Sequence, residues 1–424
     1  MAFRIPLRTR HHAHTVTVLR APLPRNVRIL ITTRAVRSVG QGAMVASFTL
    51  YLNALGWSAT AIGTVLMGAL LWGTLLTITI GPLSDHGGRR WFLIGYDLVQ
   101  AGAALLAMLT TTPSLLVAAA VVGAFGRGAN GSAGAFSPVE QAWLAIELPM
   151  AHRGRVFSTN SAVGYIGMGI GALLVALPAW WLGHTLAAPD YRLLFVLPLA
   201  GSLGSFALLW LTREPNVVAP RSRHADTAPA LRRTENRLLA KLVLANALHG
   251  LGIGFVGPLI AYWFAIKYAR GLTAIGPGLA LAFLTGAVGS VIAGTLARRH
   301  GIMRTVVWIN GLGVALMALL PLAPWFWVAM AVYIVRGTTN RGTNGVRQAL
   351  AAGLTRVERR GLASSLQNIS FQIPRAVGPV IGGALFHAGH LMLPFFLAAL
   401  FELGYVFAFA RFFGHTEAAR VREP

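Results

Sequence analysis

The chain has no cysteine, few acids and little charge of either sign. Without cysteine there is no disulfide, thiol or zinc-thiolate chemistry. Only 11% of the 424 residues are charged, against roughly a quarter in ordinary soluble domains. The motifs of an enzyme are missing as well: no Ser/His/Asp set, no paired-carboxylate motif and no phosphate loop. The lack of a Walker-type loop leaves ATP drive unsupported. No catalytic residue, cofactor or metal is therefore expected. His11, His12 and His14 lie on a basic N-terminal stretch and are read as incidental.

What is present is apolar. Hydrophobic residues make up 55% of the sequence, and the mean hydropathy is +0.63. Stretches long enough to cross a bilayer as a helix, about 20 residues each, recur along the chain. They fall at about 28–52, 58–81, 91–111, 115–137, 156–180, 193–212, 238–262, 275–297, 303–323, 326–348, 361–387 and 391–413. The pattern predicts an all-α integral membrane protein with twelve transmembrane helices.

The net charge of +24 could point to nucleic acid, but its distribution argues against that partner. Basic residues alternate by loop. Arg4, Arg8, Arg10, Arg20, Arg25 and Arg28 precede or open the first span, and Arg34 and Arg37 lie just inside it. Even-numbered loops carry Arg89 and Arg90, Arg153 and Arg155, Arg298, Arg299 and Arg304, then Arg356, Arg359 and Arg360; odd-numbered loops hold only Arg192, Lys267 and Arg270. The positive-inside rule then puts both termini in the cytoplasm, with polybasic flanks favouring anionic membrane lipids. No cleavable signal peptide is read, so span one is expected to act as an uncleaved anchor.

Thr212–Arg237 breaks the apolar pattern with Pro215, Pro220 and Pro229, six arginines and three acids, and reads as a solvated linker. The expected organisation is a basic tail at 1–27, a six-helix bundle at 28–212, a linker at 213–237, a second bundle at 238–413 and a tail at 414–424. The halves echo each other. Ala61-Ile-Gly63 recurs as Ala274-Ile-Gly276, Tyr51 matches Tyr262, and Val139-Glu-Gln-Ala142 matches Val346-Arg-Gln-Ala349. Several matches in one order signal an internal repeat.

The most informative segment is Gly81-Pro-Leu-Ser-Asp-His-Gly-Gly-Arg-Arg90, with a looser copy at Gly294-Thr-Leu-Ala-Arg-Arg-His-Gly-Ile-Met-Arg304. Used twice in a twelve-span chain, it resembles the signature loop of the major facilitator superfamily. That resemblance implies two pseudo-symmetric six-helix bundles with a substrate cavity between them. It also implies a secondary transporter: a monomer in the bacterial inner membrane, moving a small molecule with a coupling proton. Gly81, Asp85, Gly88, Arg89 and Arg90 match the loop pattern. Asp85 is placed to face a helix N-terminus, whose partial positive charge favours a carboxylate; the family implies the start of span eleven. A basic loop residue is likewise expected to pair with Glu147. Arg298 replaces the acid in the second copy, so one half alone carries this latch.

Inside the membrane, Arg127-Gly-Ala-Asn130-Gly131 resembles the family's Arg-x-x-x-Gly element, and the matching arginine is tied to proton movement in proton-coupled relatives. An intramembrane charge is functional by default unless it is structurally paired. Arg336, Asn340, Thr343 and Arg347 fall in one arc at 100° per residue, making a polar stripe on span ten. Arg347 is the repeat equivalent of Glu140, which raises a salt bridge between the halves. Arg375 sits midway along span eleven. Asp97 is assigned to the cytoplasmic charge network, and His249 is a proton-coupling candidate or a packed donor. Tyr51 and Tyr262, with Gln41 and Asn246, supply aromatic and hydrogen-bonding surface. With no acid in span one and arginines in several others, the cavity tilts positive. A proton-coupled exporter is the first reading; uptake of an organic anion, or a sensor on the same fold, are the others. Asp85→Asn is expected to abolish transport while membrane insertion persists; unchanged flux through that variant would remove the latch.

Overall fold

The computed structural model describes residues 23–127, 136–183, 186–214, 229–343, 347 and 360–420, and these are helical, with no strand among them. In lipid a backbone must satisfy its own polar groups, and a helix does so within one segment. The first half contains α1 (Arg25–Ala54), α2 (Ala59–Gly87), α3 (Arg89–Leu109), α4 (Pro113–Val122), α5 (Phe136–Glu147), α6 (Met150–Leu174), α7 (Leu177–Leu182), α8 (Ala188–Leu193) and α9 (Val196–Trp210). The second contains α10 (Pro229–Val256), α11 (Ile260–Tyr268), α12 (Leu272–His300), α13 (Ile302–Leu319), α14 (Phe326–Gly342), α15 (Arg360–His387) and α16 (Leu393–Arg420). α10 starts inside the stretch read as linker, because Ala230, Leu231, Arg232, Arg233 and Glu235 are all good helix formers.

Among the described residues nine helical segments are long and apolar enough to cross a membrane. The other three expected spans correspond to α1, α4 with α5, and α14. Each departs for a visible reason. α1 carries Arg25, Arg28, Arg34 and Arg37; α14 is 17 residues long and carries Arg336 and Arg341; α4 stops after 10 residues. The continuous span expected at 115–137 is therefore interrupted. Gly123–Gly126 turns out of the helix, with Ala124 at φ 47° and Gly126 at φ 70°, and the next described helix starts at Phe136.

The repeated loop is mostly helix. α2 and α3 are separated by Gly88 alone, at φ 87°. In the second half Gly301, seven residues past Gly294 as Gly88 is past Gly81, separates α12 from α13 at φ 86°. A side chain would be strained at either position, so glycine marks both turns. The internal repeat is thus reproduced in backbone conformation.

The halves join along α2 with α15 and along α6 with α12. The first seam is backbone against backbone. A Cβ on Gly63 would lie 2.1 Å from the Pro379 carbonyl oxygen, and one on Gly383 would lie 2.3 Å from that of Ala59. Small residues of this kind let membrane helices pack closely where no hydrophobic force drives them together. At this end of the bundle one continuous apolar cluster crosses both halves, taking in Phe48, Tyr51, Leu66, Phe195, Phe255, Trp263, Phe283 and Phe395. Toward the repeated loops it gives way to two separate clusters. One, around Leu93, Trp143 and Leu209, belongs to the first half; the other, around Met303, Tyr405 and Phe413, belongs to the second.

Gly63→Ala is expected to lower the thermal unfolding midpoint of the purified protein. Gly95→Ala, where a new Cβ meets nothing within 4 Å, should leave it unchanged or raise it slightly. Equal effects of the two would show that the seam is not close-packed.

Candidate substrate pathway at the break in the fourth span

An interrupted helix leaves carbonyls without intrahelical partners, and at membrane depth something must take them. Two side chains do. Gln100 Nε2 on α3 donates to the Val122 carbonyl at 3.1 Å. Arg375 Nη2 on α15, from the other half, donates to the Arg127 carbonyl. Arg375 is anchored by a 3.0 Å bond from Nη1 to Gln372 Oε1, and only 3% of it is exposed. Arg127 in turn donates from Nη1 to Tyr96 Oη at 3.1 Å. The two arginines picked out separately in the sequence meet between the halves. Asn130 lies outside the described residues.

Behind the break the first half holds a buried charge network. Arg37 Nε on α1 approaches Asp97 Oδ1 on α3 at 2.8 Å, and Ser205 on α9 donates to Asp97 Oδ2. The same guanidinium lies 3.7 Å from the Phe136 ring centroid and 5.0 Å from that of Tyr96. Such stacking is favourable for a desolvated cation. Asp97, expected in the charge network at the loop end, is instead fully buried and belongs here. Glu140 faces Arg34 and Asn160 within its own half. It makes no bridge to Arg347, which lies over Tyr405 in the second half.

The second half carries a comparable pair. Arg336 Nη2 on α14 donates to Glu402 Oε1 on α16 at 2.7 Å, both buried. His249 is buried beside them, stacked on Tyr405 at 4.5 Å between centroids and 5.5 Å from Phe371. Asn340 is half-buried one turn along α14. The stripe ends there as helix, because α14 stops at Gly342 with Thr343 as its C-cap. Arg341 was not anticipated. It is buried, donates to the Ala282 carbonyl, and reaches both Phe283 and, from the other half, Tyr165. Tyr51 and Tyr262 do not join the arginines. Tyr51 packs 5.5 Å from Phe195 and 6.2 Å from Tyr191, and Tyr262 packs 6.3 Å from Phe386, all in the shared apolar cluster.

At the repeated-loop end, the side chains of Gly81 and Asp85 lie outside the described residues. Glu147 does not pair with a basic residue of the loop among the described residues. Its Oε1 accepts from Asn26 Nδ2 at 2.6 Å and from Trp143 Nε1 at 3.2 Å. The N-terminus of α3 is held instead by Glu214, whose carboxylate accepts the backbone N–H groups of Arg89 at 2.7 Å and Arg90 at 3.1 Å. A carboxylate at a helix start is favoured by the unpaired N–H groups and the helix dipole. Arg90 returns the contact, donating to the carbonyls of Leu209 and Trp210 at the end of α9, between the Trp91 and Trp210 rings.

Comparison with known proteins places the chain in a family. The profile of the Major Facilitator Superfamily matches residues 30–244 and 242–424. The chain belongs to the Major Facilitator Superfamily.

It is accordingly a multi-pass membrane transporter and not an enzyme. The quinolone resistance protein NorA of Staphylococcus aureus is 22% identical over 376 residues, covering 85% of this chain and 89% of that protein. Among solved structures, a variant of the nucleoside transporter NupG superposes with a TM-score of 0.70 at 14% identity, covering 91% of this chain and 99% of that one. The human organic anion transporter MFSD10 does so with a TM-score of 0.63 at 14% identity, covering 92% and 100%. At these identities the structural likeness is one of fold.

Within this superfamily scaffold, a polar cavity of about 40 Å³ opens at the break. Arg34, Arg37, Ser38 and Gln41 of α1, Gln100, the turn Gly123–Arg127 and Ser202 of α9 line it. Arg336→Met is expected to lower the unfolding midpoint strongly, because breaking a buried pair by removing one partner costs about 3–5 kcal/mol. The double variant Arg336→Met with Glu402→Leu should recover most of that loss. A double variant no better than the single one would mean that the pair is not the source of the effect.

Proposed function

We propose that this protein is a secondary active transporter that moves a small organic solute across the bacterial inner membrane by alternating access. In this reading both termini and the loop bearing Gly88, Arg89 and Arg90 lie in the cytoplasm, and export is coupled to a proton. The observation that carries it is the asymmetry of the packing. One apolar cluster seals both halves together at the end away from that loop, while the loop end is built from two separate clusters. Two bundles fused at one end and independent at the other can rock about a site between them, and the Arg127–Arg375 contact lies at such a position.

Coupling finds candidate sites in Asp97, Glu140 and Glu402, buried carboxylates each set against an arginine, with His249 beside the last. Intramembrane acids of this kind serve proton relays in pumps and transporters. The likeness to NorA, named for quinolone resistance, is in keeping with export.

A second reading has its own observation. Arg34, Arg37, Arg127, Arg336, Arg341 and Arg375 are buried or line the central region, and they outnumber the acids there. A positive interior favours an organic anion, and MFSD10, which shares the fold, is itself named an organic anion transporter.

Flux in proteoliposomes separates the two, using a panel of organic anions and lipophilic cations with and without an imposed pH gradient. Cation efflux driven by the gradient is the outcome expected of a proton-coupled exporter. Anion flux, lost in Arg375→Ala, would establish the second reading. No gradient-dependent movement of any solute would remove proton coupling.

A further inference from the structure

The cavity at the break of the fourth span is surrounded by more positive charge than the protein neutralises. Arg34, Arg37 and Arg127 line it, and Arg375 reaches the Arg127 carbonyl from the other half. Against these four guanidiniums stand two carboxylates, Asp97 on Arg37 and Glu140 beside Arg34. The remaining described acids of this half are engaged elsewhere. Glu147 is held by Asn26 and Trp143, Glu214 caps α3, and Asp190 accepts the Ala187 N–H at 2.8 Å. The sequence of residues 128–135 contains no acid.

Three buried donors of residues that line the cavity have no hydrogen-bond partner among the described residues: Arg37 Nη1, Ser38 Oγ and Arg127 Nε. Ser38 is only 1% exposed, and the Arg37 side chain only 9%. Buried donors without partners are costly, and an uncompensated buried charge more so. Water fits the space, since about 40 Å³ exceeds the ~10–15 Å³ that admits one molecule. Water would satisfy the donors but leave the excess positive charge. A small anion satisfies both. Drug-sized ligands need pockets of about 300–1,000 Å³, so only a compact ion, or the charged end of a larger solute, enters here.

We propose that this cavity is an anion site that takes one small monovalent anionic group through Arg37, Ser38 and Arg127. The group is a halide such as chloride or the carboxylate of the transported solute. The second of these rests on the organic-anion reading above; the first does not. Because Arg127 also carries the carbonyl that Arg375 grips, occupancy of the site bears on the contact between the halves.

The test is the thermal unfolding of the purified full-length protein in detergent, titrated with chloride, bromide or acetate at an ionic strength held constant with sodium sulfate. Sulfate is doubly charged and serves as the reference anion, outside the monovalent class proposed. A saturable rise in midpoint is expected, with apparent affinity reduced about tenfold in Arg127→Gln. Ser38→Ala, which removes one hydroxyl and no charge, should fold normally and weaken the same response severalfold. A response to chloride and bromide alone assigns the site to an inorganic ion, and one to acetate alone assigns it to a carboxylate. No saturable response to any of the three would overturn the site, as would a response unchanged in Ser38→Ala. The readout is binding and not flux, so its failure leaves the transport reading standing, and a failure of transport leaves the site testable.

Discussion

A helix can be interrupted inside a bilayer only if other groups take the carbonyls it releases, and that constraint organises the centre of this molecule. The fourth span stops at Val122, and the carbonyls at the two ends of the turn go to Gln100 and Arg375. The second of these donors comes from the opposite half. Because the break is satisfied across the interface, the local structure of one bundle depends on the position of the other. The buried arginines follow the same logic. Arg37 is held by Asp97 and two rings, Arg336 by Glu402, and Arg341 by the Ala282 carbonyl and the Phe283 ring. Each is tolerable in an apolar interior because a specific partner stands within reach.

What could be read from the sequence was whatever is local or repeated. The apolar runs gave the helices, and the two glycine-rich turns gave the superfamily, because a backbone forced to positive φ at Gly88 and Gly301 admits few other residues. The break was not legible. Ala124 and Phe125 are apolar, so Gly123–Arg127 reads as one more stretch of span until its backbone is seen. Nor was the meeting of Arg127 with Arg375, 248 residues apart, since no periodicity reports on contacts between halves.

Two acids find partners that their place in the chain did not indicate. Glu147 was matched to the loop by its place in the chain, yet Asn26, at the start of α1, lies nearer to it in space. Glu214 was set aside with the linker because proline and arginine surround it. One signal was available: it is the first acid after the apolar run ending in α9, where a free carboxylate could reach the start of α3. Arg341 escaped because 100° per residue places it off the arc of Arg336, Asn340 and Arg347, on the side facing α12.

The glycine seam between α2 and α15 has a consequence for speed. Where helices interlock through large side chains, separating them means withdrawing each chain from its socket and moving it through other rotamers, and every such step adds to the activation barrier. At Gly63 and Gly383 the main chains touch directly. At these two contacts the glycine has no side chain to withdraw and no rotamer to reset. Parting or rolling along them is limited by lost dispersion contact, which changes smoothly with distance. The joint that closes one end of the molecule thus meets little side-chain resistance where these main chains touch.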